Sequence, residues 1–285
     1  MVTRREFNAL ALAPFAVGVN SLVSGVRVGV QTYSFRDLPR PDGGNQVDAV
    51  VDAMRQCGLT ECELWAEGVE PKLRREELRR WRIDTPIGFF RDVKRKFDAA
   101  GITIFAYNYS QSASFTDEEI DRGFEMAKAL GTRIITASTT LAVAKRVAPF
   151  AEKHDMIVAM HGHSNVKDPN QFATPASFET ALAMSKQFRI NLDIGHFTAA
   201  GFDAVPFVRA HHARITNLHI KDMKRGIPDS YVPWGTGDSP IRDVLQMLKK
   251  ERWPIHAHIE YEYKGQETPV EETKKCLEFV KRALA

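Results

Sequence analysis

Four short segments in the second half of the chain combine histidine with carboxylate side chains at alternate positions. They read Ala159-Met160-His161-Gly162-His163, Leu192-Asp193-Ile194-Gly195-His196, Leu218-His219-Ile220-Lys221-Asp222 and Ile259-Glu260-Tyr261-Glu262. Side chains of a β-strand alternate between its two faces, so the polar residues of each segment would share one face and the apolar residues the other. Buried imidazole and carboxylate groups are costly unless they are paired or bind a metal. A histidine of the first segment, Asp193, His219 and a glutamate of the last segment are therefore predicted to bind one divalent metal.

The predicted ligand set mixes nitrogen and oxygen donors of intermediate softness. Such a set suits Mn²⁺, Zn²⁺, Co²⁺ or Fe²⁺ and does not choose among them. A single buried histidine is more often a hydrogen-bonded core residue than a ligand. Four such residues in register on neighbouring strands favour a metal site instead.

Eight apolar or alternating runs, most of them followed by a stretch with helical spacing, recur along the chain and indicate repeated β/α units. The pattern predicts a single (β/α)8 TIM barrel, in which catalytic residues gather at the carboxyl ends of the strands. Gly58, Gly101 and Gly131 stand where glycine caps of helices are expected. The predicted strands span 26–33, 61–66, 102–108, 133–138, 157–163, 190–196, 215–222 and 255–262, and the predicted helices 47–56, 92–99, 117–130, 175–186, 241–250 and 271–283.

An open, doubly wound sheet is the main alternative because it also alternates strands and helices. That fold would place a glycine-rich phosphate turn after the first strand. The chain reads Ser34-Phe35-Arg36-Asp37-Leu38-Pro39 at this point, which contains no glycine. The closed barrel is therefore favoured.

The four segments resemble the xylose-isomerase-like sugar isomerase/epimerase superfamily, and specifically its exported subgroup with His-x-His on strand five. The resemblance runs from about Val28 to the C-terminus and includes Gly29-Val30-Gln31-Thr32-Tyr33-Ser34 and Glu63-Leu64-Trp65. It implies a metal held by a Glu on strand five, an Asp on strand six, a His on strand seven and a Glu on strand eight. The last three correspond to Asp193, His219 and Glu260. At the strand-five position this chain has His161 instead of the usual glutamate.

The resemblance implies proton transfer beside a metal-polarised sugar carbonyl, with two ligating glutamates on opposite sides of the substrate. With His161 in place of one glutamate, Glu260 is the expected base and His161 or His163 the expected acid. Two activities stay open: isomerisation or epimerisation of a sugar, and β-elimination from a 3-keto-glycoside, which resembles what exported members of the family are thought to do. A barrel that has lost catalysis and binds a sugar or a partner protein is the alternative from a different class.

Further residues are expected to shape the pocket for a small-molecule sugar or glycoside. Aromatic side chains stack on sugar rings, and amide, imidazole and ammonium groups bind sugar oxygens. Lys221 could equally pair with Asp222 or Asp193, and Glu63 could be a partner of the ligands or part of a salt bridge. The candidate substrate-binding residues are Tyr33, Phe35, Trp65, Asn108, His196, Lys221 and Trp234.

The segment 232–241 invites a phosphate-loop interpretation, because barrels often bind phosphate after strands seven and eight. A helix start with Asp238 or Ser239 as the cap and Pro240 at the first helical position explains the same residues without a ligand. We therefore expect an unphosphorylated sugar or glycoside as substrate.

The N-terminal residues 1–25 resemble a twin-arginine export signal. Thr3-Arg4-Arg5-Glu6-Phe7 precedes an apolar run without charges from Ala9 to about Val23. An ordinary N-terminal helix is the alternative, although Pro14, Gly18 and Asn20 interrupt it. The run is too short to argue for a stable membrane span. The prediction is an exported, periplasmic barrel of residues 26–285 with no membrane contact after signal removal.

The composition limits the class of protein and its partners. The 285 residues are 44% hydrophobic and 26% charged, which is typical of one soluble globular domain. The net charge is only +3, and the basic stretch 72–82 contains Glu76 and Glu77, as a solvated helix face does, so no nucleic-acid partner is predicted. The odd number of cysteines, three in all, predicts buried thiols and no disulfide framework. A homo-oligomer is compatible with the sequence.

Overall fold

Eight parallel strands form the centre of the protein and close on themselves. The structure, a computed structural model, describes residues 21–285. Each strand pairs with the next in the chain, and the first also pairs with the last, Gly29 lying opposite His258. This closure confirms the predicted single (β/α)8 TIM barrel. The strands are β1 (Val26–Gln31), β2 (Glu61–Trp65), β3 (Thr103–Asn108), β4 (Ile134–Ser138), β5 (Ile157–His161), β6 (Phe188–Asp193), β7 (Ile215–Ile220) and β8 (His256–Ile259).

A short additional strand, Leu22–Val23, precedes the barrel. It pairs antiparallel with Val26 and Arg27 across a tight turn at Ser24 and Gly25. Residues 1–20, which carry most of the predicted export signal, lie outside the described residues, so the signal stays a prediction. Within residues 21–285, no helix has both the length and the apolar character that crossing a membrane requires.

The helices follow the strands and pack apolar faces against them. Helix α1, for example, buries Val50 and Met54, and α4 buries Phe90, Val93 and Phe97. The helices are α1 (Val47–Cys57), α2 (Ala66–Val69), α3 (Arg75–Asp84), α4 (Gly88–Ala99), α5 (Asp117–Ala129), α6 (Leu141–His154), α7 (Pro175–Met184), α8 (Ile194–Ala199), α9 (Ala204–His211), α10 (Ile241–Glu251) and α11 (Pro269–Leu284).

Several boundaries differ from the prediction at the carboxyl ends of strands. The predicted strand 190–196 is wrong beyond Asp193, because the Asp193 side chain accepts a hydrogen bond from the His196 backbone N–H at 2.7 Å and caps α8. Strand β1 ends at Gln31 and continues as a 3-10 helix, Thr32–Phe35. Helix α6 was not predicted, since Pro149 lies inside it and proline usually interrupts a helix.

Alternation of side chains separates an apolar outer face from a polar barrel interior, as predicted. Val158, Leu192, Leu218 and Ile259 point to the helices and are fully buried. The opposite faces of the same strands carry the imidazole, amide and carboxylate groups that form the site described below. The three cysteines are free thiols and are buried, as predicted: Cys57, Cys62 and Cys276.

Candidate functional site

The ends of β6, β7 and β8 bring three predicted ligands together. Asp193 is the last residue of β6 and lies opposite His219 of β7 in the strand register. Glu260 directly follows β8, where its backbone N–H donates to the Ile220 carbonyl at 3.0 Å. All three side chains are nearly excluded from solvent, with exposures of 1% for Asp193, 1% for His219 and 6% for Glu260. A polar cluster this deeply buried needs a partner to satisfy it.

One atom of each of these three side chains is buried and makes no hydrogen bond of normal geometry, although Lys221 Nζ lies close to two of them. The three atoms are Asp193 Oδ2, His219 Nδ1 and Glu260 Oε2. His219 Nδ1 lies 2.8 Å from Glu260 Oε2 and 3.9 Å from Asp193 Oδ2, so the three atoms face one point. A cation there would satisfy all of them, and carboxylate oxygen with imidazole nitrogen is a donor set that divalent metals prefer. The residues present therefore fit a divalent metal.

His161, the last residue of β5, lies beside this group. Its Nδ1 is 2.9 Å from Asn191 Oδ1, which leaves Nε2 available for another partner. Potential ligand atoms of His161, Asp193 and His219 all lie within 4.8 Å of one another. Burial lowers the pKa of His161 to about 4, so the imidazole is neutral at pH 7, the form that binds metals. His161 thus lies where its Nε2 could supply a further ligand to the same metal.

Glu63 of β2 holds the candidate ligand His219 in place from deeper inside the barrel. It is fully buried and accepts hydrogen bonds from Asn191 Nδ2 at 2.9 Å and Asn217 Nδ2 at 2.6 Å. Its Oε2 is 2.9 Å from His219 Nε2, which turns Nδ1 of that ring toward Asp193. Burial alone would raise the pKa of Glu63, but His219 and His258 hold it well below its usual range. A carboxylate behind a metal-binding histidine fixes the ring and raises its basicity.

Lys221 places an ammonium group among carboxylates at the cavity wall. Its Nζ is 3.1 Å from Asp193 Oδ2 and 2.8 Å from Glu260 Oε2, and it also donates to Glu262. Burial opposes the charge, but Asp193 and Glu260 raise the pKa of Lys221 well above its usual value. Lys221 therefore pairs with Asp193 rather than with Asp222.

Asp222 faces away from this group and binds the loop 232–240. Its carboxylate accepts hydrogen bonds from the backbone N–H groups of Gly235 at 2.8 Å, Gly237 at 2.9 Å and Ser239 at 3.1 Å. A Cβ at position 237 would collide with that carboxylate, so this approach requires glycine. The amide donors that a phosphate would need are thus taken by Asp222.

The predicted helix cap in this loop is wrong in detail. Helix α10 begins at Ile241 with Pro240 at the cap position and no capping side chain. Instead, Ser239 Oγ accepts a hydrogen bond from the Met223 backbone N–H at 3.1 Å. The Asp238 carboxylate accepts one from the Arg225 backbone N–H at 2.9 Å. These side chains fix the loop after β7 rather than the helix.

The pKa shifts of the two carboxylates in the candidate ligand group have opposite directions. Burial opposes ionisation of Glu260, but His219 and Lys221 outweigh it and hold its pKa well below its usual value. Burial raises the pKa of Asp193 to about 6, with Lys221 opposing and Glu260 adding to that effect. Burial also raises the pKa of Glu262, beside Lys221. The site therefore combines a fully ionised carboxylate with a second one that holds a proton more readily.

An inner cavity of about 160 Å³ opens above the ligands at the carboxyl ends of the strands. Tyr33 and Trp65 form an edge-to-face pair at its wall, with ring centroids 5.1 Å apart. Asn108 also borders it and donates from Nδ2 to Thr136 Oγ1 at 3.1 Å. The cavity is lined by Gln31, Tyr33, Trp65, Asn108, His161, His163, His196, His219, Lys221, Tyr231, Glu260 and Glu262.

An outer cavity of about 410 Å³ adjoins the inner one. The two share His163, His196 and Tyr231 as lining residues. The ring centroids of His163 and His196 lie 5.0 Å apart, and burial lowers the pKa of His163 to about 3. Beyond these rings the outer cavity is bordered by the loops after β5 and β7, with Val166 49% exposed. A molecule longer than one sugar ring has room to extend here.

Two predicted substrate-binding residues lie elsewhere. Phe35 is fully buried in the hydrophobic core, because the chain leaves the strand at Thr32 and alternation no longer sets its direction. Trp234 lines a separate cavity of about 420 Å³ beside α11, where its ring packs edge-on against Phe279 with centroids 5.9 Å apart. Neither side chain borders the inner cavity.

Three residues of the inner cavity were not assigned to the site from the sequence. Glu262 has the same strand parity as Glu260, so alternation already indicated it. Gln31 lies two positions before Tyr33, and its Nε2 donates to Glu63 Oε1 at 2.5 Å. Tyr231 belongs to a loop with no periodic pattern, so nothing in the sequence pointed to it.

The chain was compared with known families, proteins and structures. The model of the xylose isomerase-like TIM barrel family matches residues 51–283. A putative uncharacterized protein from Parabacteroides distasonis ATCC 8503 is 25% identical, with a TM-score of 0.61 over 90% of this chain and 99% of that one. No curated protein matches.

Two further solved structures share the fold at lower identity. An L-ribulose 3-epimerase is 14% identical, with a TM-score of 0.66 over 91% of this chain and 94% of that one. A probable 3-DHS dehydratase, AsbF, from Bacillus anthracis is 14% identical, with a TM-score of 0.64 over 88% and 98% of the two chains. With the family model matched over most of its length, this chain belongs to the xylose isomerase-like TIM barrel family.

Proposed function

We propose that the protein is a metal-dependent enzyme of the sugar isomerase/epimerase type, which moves a proton at a carbon next to a sugar carbonyl. The observation that carries this proposal is the convergence of three buried ligand atoms of Asp193, His219 and Glu260, none of which makes a hydrogen bond of normal geometry. They lie below a polar cavity of about 160 Å³ at the end of the barrel where active sites of this fold occur.

A bound divalent metal would polarise the substrate carbonyl and so acidify the neighbouring C–H bond. The protein's own groups perform the proton transfer. Glu260 is ionised and borders the cavity, so it takes the proton. Tyr33 and Trp65 place aromatic surface against the sugar ring, and Asn108 and His196 offer hydrogen bonds to its oxygens.

The returning proton needs a group at the cavity wall that can hold a proton and release it. Burial lowers the pKa of His161 to about 4 and that of His163 to about 3, so both imidazoles are neutral and are poor proton donors. Burial raises the pKa of Glu262, which also borders the cavity. The proposal therefore gives the acid role to Glu262, with His161 as fourth ligand and His163 as a substrate contact.

This assignment is testable with two glutamine variants. Glu262→Gln is expected to lower kcat by about 100-fold or more, because a carboxamide cannot serve as the general acid. His163→Gln is expected to change KM more than kcat. Steady-state kinetics of both variants give the comparison. A large kcat loss in His163→Gln together with near-normal Glu262→Gln would return the acid role to the imidazole.

The outer cavity favours a second candidate function, β-elimination from a 3-keto-glycoside. Here Glu260 would remove the proton from C2, a C1–C2 double bond would form, and the C1–O bond to the aglycone would break. Glu262 would protonate the leaving oxygen. The outer cavity of about 410 Å³ gives the aglycone a place beside Tyr231 and Val166. The same fold is found in both the epimerase and the dehydratase described above.

Deuterium exchange separates the two functions. We expect free ketoses incubated with the protein and Mn²⁺ in D₂O to incorporate deuterium beside the carbonyl and to form an epimer, as followed by NMR. Release of aglycone from a 3-keto-glycoside, without exchange into free ketoses, would favour elimination instead. Absence of both reactions from the metal-loaded protein would contradict the proposal.

Metal content separates an enzyme from a binding protein built on the same barrel. We expect about one active-site metal per chain, lost in Asp193→Ala. A metal content below about half an ion per chain, with no gain after addition of Mn²⁺ or Zn²⁺, would leave only the binding function.

The proposed location is the periplasm, because the pattern at Arg4 and Arg5 resembles a twin-arginine export signal.

A further inference from the structure

A second cluster of metal-binding side chains lies at the opposite, amino-terminal end of the barrel. Glu61 is the first residue of β2, and His256 is the first residue of β8. His258, two residues further along β8, completes the group. Potential ligand atoms of these three side chains lie within 4.8 Å of one another. None of the three residues borders the inner cavity.

Both imidazoles converge on a single carboxylate oxygen. Glu61 Oε1 is 2.6 Å from His256 Nδ1 and 3.3 Å from His258 Nε2. In a tetrahedral zinc site, ligand atoms stand about 3.3 Å apart, given bonds of about 2.0 to 2.1 Å. The His258 distance already matches this spacing. The His256 distance needs an opening of under about 1 Å, which its partly exposed side chain can provide.

The ring of His258 is supported as metal-binding histidines usually are. While Nε2 points to Glu61, Nδ1 lies 3.1 Å from Asn217 Nδ2 and 3.5 Å from Glu63 Oε2 on the other side. A carboxylate behind the imidazole fixes the ring in the orientation that directs the other nitrogen at the metal. The ring of Phe105 stacks on His256 with centroids 3.9 Å apart and limits its rotation.

Strand β1 lies between β2 and β8 and leaves room for side chains of those two strands to contact each other. Gly29 of β1 lies between β2 and β8 and pairs with His258 in the register. A Cβ at position 29 would stand 2.7 Å from the Glu61 carbonyl oxygen and 2.8 Å from His258 Cδ2. Any larger residue would therefore push the imidazole away from the carboxylate. Glycine at this position allows strands on either side of β1 to contribute to one cluster.

We infer that Glu61, His256 and His258 form a second divalent-metal site, suited to Zn²⁺, at the amino-terminal end of the barrel. Two nitrogens and one oxygen are the ligand types that Zn²⁺ prefers, and the partly exposed edge of His256 leaves a fourth position for water. Catalytic residues of this fold gather at the other end, so this site stabilises the protein. It links β2 to β8 across β1, where the barrel closes.

The test counts zinc in the full chain after chelation, reloading and removal of free metal. Elemental analysis is expected to give about two zinc ions per wild-type chain and about one in His256→Ala or Glu61→Gln. His219→Ala is expected to lose the other ion and to keep this one. His212→Ala, which changes an imidazole outside both sites, is the control and should keep about two.

Cobalt provides a readout that does not depend on activity. Wild-type protein loaded with Co²⁺ should show visible absorption from both sites, and the part contributed by this site should disappear in His256→Ala and persist in His219→Ala. Unchanged zinc content and cobalt spectrum in both His256→Ala and Glu61→Gln would overturn the inference. Loss of zinc in His256→Ala combined with no loss in His219→Ala would instead support this site while contradicting the proposed active-site metal.

Discussion

Replacement of Glu260 by glutamine is expected to abolish turnover while most of the metal stays bound. Glutamine keeps the size and one ligating oxygen of the side chain but cannot accept the substrate proton, so kcat should fall by about 10³-fold or more. The other ligands, Asp193, His219 and His161, are unchanged. Turnover is measured as deuterium exchange or aglycone release, and metal content by elemental analysis on the same sample.

A surface variant of the same chemistry controls for the amide substitution. Glu278→Gln alters a carboxylate on α11 that forms an exposed ion pair with Lys281, and it should leave both quantities unchanged. Near-normal turnover in Glu260→Gln would remove Glu260 as the base. Loss of the metal together with turnover would show that its role is ligation before catalysis.

Replacement of Glu63 by glutamine is expected to weaken metal binding by about 10- to 100-fold although Glu63 does not touch the metal position. The amide would direct one N–H₂ group at the donors of Asn191 and Asn217, and it would remove the charge that holds the His219 ring. Titration of the metal-free protein against a competing chelator measures the affinity. Glu63→Asp, which keeps the charge, should recover part of it.

A variant of a second buried carboxylate tests whether Glu63 acts by positioning the His219 ring or only by stabilising the fold. Glu119 is 2% exposed and pairs with Arg79 and Arg82 far from the inner cavity. Glu119→Gln should lower the midpoint of thermal unfolding and leave metal affinity unchanged. Equal loss of affinity in Glu63→Gln and Glu119→Gln would show that Glu63 acts only through stability.

The barrel and the convergence of the candidate ligands could be predicted because both depend on strand alternation. Asp193 and His219 stand on the polar side of strands whose other side is apolar, Glu260 continues the alternation one residue beyond β8, and closure of the sheet brings such positions together. The same rule failed once the strands ended. Phe35 lies in a 3-10 helix after β1, and the predicted strand 190–196 turns into α8, because alternation carries no information about backbone that is no longer extended.

The positions of loop residues could not be predicted from the sequence, for a different reason. Tyr231 borders the inner and the outer cavity, whereas Trp234, three residues later, lines the separate cavity beside α11. Their positions depend on how Asp222 gathers the backbone N–H groups of the following loop, a set of contacts without periodic spacing. The role of Glu63 was likewise only a candidate, since its partners come from several strands far apart in the chain.

The placement of the ligands on the last four strands orders the events of biosynthesis. His161, Asp193, His219 and Glu260 leave the ribosome in that sequence, and the seam between β1 and β8 forms last. A nascent chain that lacks β8 has neither a closed barrel nor the proposed base, so the proposed metal would be inserted after translation of that strand. If the twin-arginine pattern directs export, the metal is chosen in the cytoplasm, before the protein meets the ions of its destination.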